Sequence, residues 1–290
     1  MYSVFDASET FYKVKKSVQE LAPLVAKYGI KAINPPAEVL ENAKAAREAA
    51  KCAYDNGLKW GLLPMPVDFF APDVTDEIFD EALEKLKTWA ENGQRMGVKY
   101  AYNHVFPGSN EKQYDENFSW HAIRLSQISG ILSAHGIKYG LEFLAPWDLR
   151  KLFKYPFTHT IAGVLAIADS VNSNIGVLFD TYHWYTGGYN LDDLYYAAQH
   201  VDRIVGFHIN DGIEGKPVEE QEDMTRAMPM TTGIIDAVKP YKTFAEKGYA
   251  GPVIIEPIFP TYKRFMQMEA ENVVKEIAAC YDRMEELAKE

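Results

Sequence analysis

Short apolar segments alternate with longer amphipathic ones along almost the whole chain, and this alternation limits the possible folds more than any other feature. Seven of the apolar segments have little polar alternation, as is typical of parallel strands buried on both faces. The predicted strands are Gly29–Asn34, Leu58–Pro64, Val98–His104, Ile137–Phe143, Ile175–Asp180, Arg203–His208 and Pro252–Glu256. A strand–helix repeat of this kind predicts an α/β protein with a parallel sheet.

The segments between the predicted strands have the spacing of amphipathic helices. One of them repeats apolar residues every three or four positions, at Ile78, Phe79, Ala82, Leu83, Leu86, Trp89 and Ala90. Thr75 precedes this segment and is followed by Asp76 and Glu77. A hydroxyl that caps the first N–H groups, with acidic residues at the positive helix end, predicts that the helix begins here.

An eighth strand has to come from the first seven residues, which are short and only weakly β-like. Eight strand–helix units in 290 residues match a (β/α)8 TIM barrel better than an open doubly wound sheet. No strand is followed by a Gly-x-Gly-x-x-Gly turn or by a Gly-Lys-Ser/Thr loop, so nucleotide-binding folds have no support. With no linker or low-complexity segment, residues 1–290 are expected to form one domain.

Charge and composition exclude several classes of partner. The chain has 30 Lys and Arg against 41 Asp and Glu, a formal charge of −11, which disfavours nucleic acid and anionic membrane surfaces. No apolar segment reaches the roughly 20 residues of a membrane helix, and no secretory signal is visible. Cys52 and Cys280 are the only cysteines, so no disulfide framework is expected and a cytoplasmic location is predicted.

Four ionisable residues end the fifth to eighth predicted strands: Glu142, Asp180, His208 and Glu256. In a barrel these strand ends meet on the face that carries active sites. Three carboxylates and one imidazole, with no Lys or Arg at these strand ends, would repel one another and lose their hydration unless they bind a cation. We therefore predict one divalent metal. The oxygen-rich ligand set favours Mn²⁺, allows Mg²⁺ or Co²⁺, and suits Zn²⁺ less.

Further candidates lie in and around the predicted loops. His183, three residues after Asp180, is expected to contact substrate, and His104 either lines the pocket or lies in the core. Trp147 and Trp184 follow ligand strands, so their rings either face the C–H groups of a sugar or pack the loops onto the rim. The remaining histidines are expected at the surface or at helix caps: His121, His135, His159 and His200.

The loop from Ile209 to Met230 is long and acidic. A loop of this length predicts either a lid over the site or a solvated segment. Its acidic residues argue against a phosphorylated substrate and favour a neutral sugar, ketose or cyclitol.

Four segments resemble those of the xylose-isomerase-like TIM-barrel superfamily, and most of all its sugar phosphate isomerase/epimerase branch. They are Tyr-Gly-Leu-Glu142-Phe-Leu-Ala-Pro, Gly-Val-Leu-Phe-Asp180-Thr-Tyr-His183, Gly-Phe-His208-Ile-Asn-Asp and Val-Ile-Ile-Glu256-Pro. The resemblance extends from about Gly29 to the C-terminus and identifies the superfamily rather than a substrate.

This resemblance implies that Glu142, Asp180, His208 and Glu256 bind one divalent metal, usually Mn²⁺. It also implies that Glu142 and Glu256 form the acid/base pair and that His183 holds the substrate. Arg226 stands in a segment similar to a family loop with an Arg before a Pro-Gly turn, which makes it a candidate for binding a substrate oxygen.

Two positions depart from the family pattern. Met230 replaces the usual glycine of the turn, and Asp148 stands where ketose 3-epimerases have a second Glu. Both departures weaken an assignment as a plain ketose 3-epimerase.

The predicted chemistry is proton transfer next to a carbonyl through an enediolate, because a metal and two carboxylates serve that reaction. An isomerase or epimerase is the first hypothesis. A lyase on the same scaffold, either an inosose-type dehydratase or a 3-keto C-glycoside-cleaving enzyme, is the alternative. A third hypothesis is a metal-stabilised sugar-binding or partner subunit without activity. The sequence leaves open a homo-oligomer, and also whether a partner chain completes the first strand.

Overall fold

Eight parallel strand positions form a closed barrel in the computed structural model, which describes residues 1–6, 11–172 and 174–290. The strands are β1 Tyr2–Phe5, β2 Ala32–Ile33, β3 in the two pieces Lys59–Trp60 and Leu62–Leu63, β4 Tyr100–Val105, β5 Lys138–Phe143, β6 Gly176–Asp180, β7 Ile204–Ile209 and β8 Pro252–Ile255. Each strand pairs with its neighbours in chain order, and β1 pairs with β8. The predicted (β/α)8 barrel is confirmed.

Strand β3 is interrupted where the sequence predicts one continuous strand. Its first piece pairs with β2 and its second with β4, so the ring closes across Gly61. The side-chain oxygen of Asn34 accepts a hydrogen bond from the Leu62 N–H at 2.7 Å. A Cβ on Gly61 would lie only 2.1 Å from that oxygen, so this close approach requires glycine.

The weak first strand is completed within the chain. Tyr2 is in register with Pro252 of β8 and Val4 with Ala32 of β2, so no partner chain is needed. The predicted segment ends at residue 7, which lies outside the described residues. The hydroxyl of Tyr281 is 2.8 Å from the carbonyl oxygens of Val4 and Val253, which ties β1 and β8 to the last helix.

Helices surround the barrel. They are α1 Val18–Lys27, α2 Ala37–Leu40, α3 Ala43–Asp55, α4 Asp76–Met96, α5 Tyr114–Ala134, α6 Trp147–Arg150, α7 Ile161–Val171, α8 Thr181–Thr186, α9 Leu191–Gln199, α10 Val238–Glu246, α11 Thr261–Phe265 and α12 Ala270–Leu287. The Thr75 hydroxyl accepts a hydrogen bond from the Ile78 N–H, which confirms the predicted start of α4. Ile78 itself is exposed, because it lies in the first turn, off the buried face. None of the helices in the described residues is long and apolar enough to cross a membrane.

His121 in α5 does not lie at the surface or at a cap, contrary to the sequence-based prediction. Only 3% of it is exposed, because its ring stacks between Phe70 and Phe157 at centroid distances of 4.8 and 4.9 Å. Its Nδ1 donates to the Asn117 carbonyl one helical turn earlier. Aromatic neighbours on two loops therefore draw this face of the helix into the core.

Candidate active site

The barrel interior is apolar in its lower part and charged at its upper rim. A small buried cluster fills the lower part, formed by Val4, Ala32, Leu62, Leu178, Val205 and Ile254. At the carboxyl ends of the strands, His104 of β4 is in register with Glu142 of β5, and His208 of β7 with Asp180 of β6. Parallel pairing thus brings the ionisable strand ends together on one face of the barrel.

Three of the predicted metal ligands form a tight cluster. One donor atom each of Glu142, Asp180 and His208 lies within 4.8 Å of the others, and all three residues are buried. Glu256 at the end of β8 completes the group, with its Oε1 3.1 Å from Nδ1 of His208. The structure therefore brings together all four residues that end the fifth to eighth strands.

The cluster has polar atoms that no described residue satisfies. Both carboxylate oxygens of Glu142 and both ring nitrogens of His208 are buried without a hydrogen-bond partner in the described part of the chain. His208 Nδ1 is 3.4 Å from Glu142 Oε1, yet the two groups do not have hydrogen-bond geometry. Buried carboxylate oxygens and imidazole nitrogens that converge without bonding one another fit a divalent cation.

Arg226 reaches into the same cluster. Its guanidinium donates to Asp180 Oδ2 at 2.8 Å, to a carboxylate oxygen of Glu256 and to Asp223 Oδ1 at 3.0 Å. The terminal nitrogen that donates to Asp223 is also 3.2 Å from Nε2 of His183. Arg226 therefore balances part of the negative charge of the carboxylates while it lines the cavity above them.

Burial and neighbouring charges separate the two glutamates. Burial raises the pKa of Glu256 to about 8, although Arg226 and His208 beside it act in the opposite direction. Burial would also raise the pKa of Glu142, but His208 and His104 beside it outweigh burial and hold this pKa well below its usual value. The two carboxyl groups therefore have pKa values shifted in opposite directions, as an acid/base pair requires.

At His208, neighbouring carboxylates outweigh the effect of burial on the pKa. Burial alone would lower the pKa of its imidazole, but the carboxylates of Glu256 and Glu142 raise this pKa to about 10. The cluster thus attracts positive charge at its centre. Because a metal-ligating imidazole must be neutral, cation binding at this position releases the proton of His208.

A cavity of about 450 Å³ opens above the cluster. Its lining includes Glu142, His208, Arg226 and Glu256. The lining also includes polar residues from the first half of the chain, namely Asp6, Asn34, Asp68 and His104. A cavity of this size, lined by many polar groups, fits a small polyhydroxylated molecule.

Three predicted substrate contacts lie away from the cavity lining. Trp184 is buried and its Nε1 donates to the Asn190 carbonyl, so it packs the loop after β6 rather than a substrate. Trp147 is 40% exposed at the rim, where Arg150 stacks on its ring at 4.3 Å. His183 is buried behind Arg226 and its Nδ1 accepts a hydrogen bond from Ala145 N–H at 3.3 Å.

The long loop after β7 packs over the mouth of the barrel. Its short strand Thr225–Arg226 pairs with Phe259–Pro260, and Asp223 and Met224 line the cavity. The Asp223 N–H donates to the Asp148 carboxylate at 3.1 Å, so the residue that departs from the epimerase pattern holds this loop to the rim. Met230 adopts φ +61, which explains why the family has a glycine there.

Sequence reasoning missed three polar residues of the cavity lining, Asp6, Asn34 and Asp68. Asp6 and Asn34 were not identified, although both lie at the ends of predicted strands. Asp68 lies four residues beyond a predicted strand, in a loop without periodicity. The position of Asp6 just after β1 was the available signal, because polar residues at strand ends face the mouth of a barrel.

Comparison with known sequences identifies the family. A family model described as xylose isomerase-like TIM barrel matches residues 22–284. The chain belongs to this family. The resemblance seen in the sequence is therefore confirmed.

Relatives of this xylose isomerase-like barrel include an inosose isomerase of Bacillus licheniformis, 27% identical over 198 residues, which are 68% of this chain and 67% of the relative. A xylose isomerase domain protein of Alicyclobacillus acidocaldarius superposes with a TM-score of 0.80 and 23% identity, over 100% of this chain and 99% of that one. An IolI protein, whose crystal structure contains a zinc atom, superposes with a TM-score of 0.76 and 20% identity, over 100% of this chain and 98% of that one. The curated relative supports the predicted enzyme class of isomerase or epimerase.

Proposed function

We propose that this chain is a metal-dependent isomerase or epimerase of an uncharged sugar, ketose or cyclitol, which moves a proton next to a carbonyl through an enediolate. The observation that carries this proposal is the buried cluster of Glu142, Asp180 and His208, whose unpartnered polar atoms converge below a cavity. The proposal takes residues 1–290 as a single domain and predicts that the protein acts in the cytoplasm.

Glu142, Asp180, His208 and Glu256 would hold the metal ion. Three carboxylates and one imidazole form a mostly hard-oxygen set, which favours Mn²⁺ and also accepts Mg²⁺ or Co²⁺. The crystal structure of the IolI protein, which has the same fold, contains a zinc atom, so Zn²⁺ should be tested as well. A cation held by these residues would supply Lewis acidity that polarises a carbonyl and lowers the energy of an enediolate.

Glu142 and Glu256 are the proposed acid/base pair. They come from β5 and β8, both line the cavity, and their Oε1 atoms lie 3.4 and 3.1 Å from Nδ1 of the same imidazole, that of His208. One carboxylate removes the proton on one face of the substrate. Return of a proton by the other carboxyl group on the opposite face gives epimerisation, and return to the neighbouring carbon gives isomerisation.

Arg226 is the proposed ligand of a substrate oxygen, because its guanidinium lines the cavity between Asp180 and Glu256. His183 would act through Arg226, which it meets at 3.2 Å. His104 also lines the cavity and is the second proposed substrate contact. Trp147 and Trp184 have no such support from their contacts.

The charge of the cavity supports an uncharged substrate. Asp6, Asp68 and Asp223 line it in addition to the proposed ligands, and Arg226 is the one lysine or arginine among the described lining residues. A phosphate group would meet net repulsion here. The similarity to an inosose isomerase favours a cyclitol ketone within the uncharged class.

A lyase on the same scaffold is the second candidate. The observation in its favour is Asp148, which accepts from the Asp223 N–H instead of reaching the cavity as a second glutamate would. Loss of a β-hydroxyl or of an aglycone from the same enediolate would then replace the return of the proton.

Deuterium exchange tests the proposal. The purified protein is loaded with Mn²⁺, Mg²⁺, Co²⁺ or Zn²⁺ and incubated in D₂O with inosose, with ketoses and with 3-keto sugars, and each mixture is followed by NMR and ultraviolet absorption. We expect metal-dependent deuterium incorporation next to a carbonyl. An ultraviolet-absorbing enone would favour the lyase. Stoichiometric metal without exchange or elimination on any substrate would leave only the sugar-binding hypothesis.

A further inference from the structure

Tyr102 lies in the barrel interior, between its apolar part and the charged cluster. Side chains alternate along a strand, so Tyr102 shares the inner face of β4 with His104, two residues later. Its ring packs on the small apolar cluster of the lower barrel. The rings of His104 and His208 meet it edge to face, with centroids 5.5 and 5.4 Å away. These contacts on several sides hold the Tyr102 ring in place.

The hydroxyl of Tyr102 has no protein partner. The residue lines the cavity and is partly exposed, and no described residue hydrogen-bonds to its hydroxyl. By contrast, the hydroxyl of the buried Tyr249 donates to the Pro252 carbonyl at 2.9 Å. A phenylalanine would pack on the lower cluster equally well, so packing does not explain the hydroxyl of Tyr102. A hydroxyl that the protein leaves open in a cavity is available to a bound molecule.

Other donors of the cavity lining are already engaged. Four of the five N–H groups of Arg226 donate to carboxylate or carbonyl oxygens of the protein. Both ring nitrogens of His104 face carboxylates, with Nδ1 2.7 Å from Asp68 Oδ2 and Nε2 3.2 Å from Glu142 Oε2. A substrate oxygen can bind to these groups only in exchange for an existing contact. The Tyr102 hydroxyl requires no such exchange.

The proposed reaction needs a donor in this cavity. An enediolate carries negative charge on oxygen, and the carboxylates of the lining would repel that charge. A rigidly held hydrogen-bond donor stabilises such charge in the transition state more than a mobile one does. A phenol is protonated at neutral pH and can therefore donate.

We propose that Tyr102 is a further catalytic residue, whose hydroxyl donates a hydrogen bond to the substrate oxygen on which negative charge develops during proton transfer. The ring adjoins His208, whose Nδ1 lies 3.4 and 3.1 Å from the Oε1 atoms of Glu142 and Glu256. Tyr102 therefore belongs to the end of the cavity that holds the proposed acid/base pair. Because its role is defined for that proton transfer, it rests on the proposed function.

The kinetic test compares wild type with Tyr102→Phe, which removes only the hydroxyl, in metal-saturated protein. We expect kcat to fall at least about 10-fold and KM to change less than about 3-fold, because the donor acts mainly on charge that develops in the transition state. Tyr249→Phe, at a buried tyrosine just before β8, is the matched control and should keep wild-type kinetics. An unchanged kcat in Tyr102→Phe, or a change confined to KM, would overturn the proposal.

Metal binding distinguishes a substrate contact from a metal ligand. In calorimetric titration with Mn²⁺, Tyr102→Phe should bind the ion within about 3-fold of the wild-type affinity, since the hydroxyl is assigned to the substrate. A loss of affinity of more than about 10-fold, as expected when a group that serves the metal is removed, would assign the hydroxyl to the cation and refute the role proposed for it.

Unfolding of metal-free protein tests the open hydroxyl without turnover. The urea midpoint of Tyr102→Phe should equal or exceed that of wild type, because no protein hydrogen bond is lost, whereas Tyr249→Phe should lower the midpoint. An equally lowered midpoint in Tyr102→Phe would mean that its hydroxyl has a protein partner, contrary to the proposal. Wild-type protein that is inactive on every substrate would instead contradict the proposed function, and the midpoints would still decide whether the hydroxyl is open.

Discussion

Two buried histidines in this barrel lie in opposite kinds of surroundings. His208 lies at the barrel mouth with three carboxylates between 3.1 and 3.8 Å from its Nδ1. His121 lies among the outer helices, stacked between Phe70 and Phe157. Each has at least one ring nitrogen without a hydrogen-bond partner in the described part of the chain.

The neighbours of each imidazole determine its charge. Burial lowers the pKa of His121 to about 4, and the cations Arg124 and Lys112 add to this effect. Burial would also lower the pKa of His208, but the carboxylates of Glu256 and Glu142 outweigh burial and raise this pKa to about 10. An unpartnered buried nitrogen among aromatic rings is thus a packing feature, whereas one among carboxylates marks a place for a cation.

Removing one carboxyl group from the charged region is expected to have the largest effect. Glu256→Gln should lower deuterium exchange by about 10²- to 10⁴-fold, because the amide cannot accept or return a proton. The exchange rate in D₂O measures this loss, with bound metal determined on the same sample. Glu276→Gln, which alters a glutamate paired with Arg264 on the surface, is the matched control and should retain full activity. A Glu256→Gln protein that keeps a tenth of the activity would contradict the acid/base assignment.

The two histidines themselves offer the next largest contrast. His208→Phe should weaken metal binding at least about 100-fold, because it removes a ligand rather than an outer partner. His121→Phe should leave metal stoichiometry unchanged, since its ring is replaced by one that stacks equally well. Calorimetric titration with Mn²⁺ compares the variants. Equal affinities would show that the unpartnered atoms of the cluster do not mark the metal site.

The low pKa of His121 should make the stability of the protein depend on pH. Its imidazole is neutral in the folded protein, and unfolding lets it take up a proton below its ordinary pKa. The resulting stability is complete above about pH 6.5 and is lost as the pH falls toward 4, by up to about 3 kcal/mol. His121→Phe should flatten this part of the curve in urea unfolding of metal-free protein, whereas His135→Gln at the surface should not. Parallel curves for wild type and His121→Phe would contradict the low pKa.

A neutral buried group should show the smallest effect. Tyr281→Phe removes a hydroxyl that meets the backbone of β1 and β8, including the N–H groups of Val4 and Ile255. We expect a loss of about 1–2 kcal/mol in the free energy of unfolding, with metal affinity unchanged. Tyr54→Phe, at a side chain 83% exposed, is the control and should be neutral. A loss of metal by Tyr281→Phe would mean that the first strand is coupled to the site.

Much of the barrel was predictable because its pattern is local. Buried parallel strands are continuous apolar segments, so seven of them stand out in the sequence. The first strand was weaker, since four residues that owe their order to β8, β2 and Tyr281 carry little signal of their own. The break at Gly61 was not predictable, because it depends on the Asn34 side chain from the neighbouring strand.

The candidate site was likewise predictable only in part. Glu142, Asp180, His208 and Glu256 were identified because each ends a strand, and the ends of parallel strands meet. Asp68 and the salt bridges of Arg226 were not predicted, because both residues lie in loop segments that have no periodic pattern. For Trp184 the sequence allowed either a substrate contact or loop packing, and the structure buries its ring 6.0 Å from that of Phe179, with Nε1 donating to the Asn190 carbonyl.

The sequence by itself determined the class of fold, the order of its strands and the residue types that converge at one end of the barrel. These follow from hydrophobic period and from position along a strand, which are properties of neighbouring residues. Only the tertiary structure decided that His121 lies between aromatic rings and that Arg226 reaches the carboxylates. Charge and pKa depend on groups that are distant in the chain and close in space, and the folded packing alone brings those groups together.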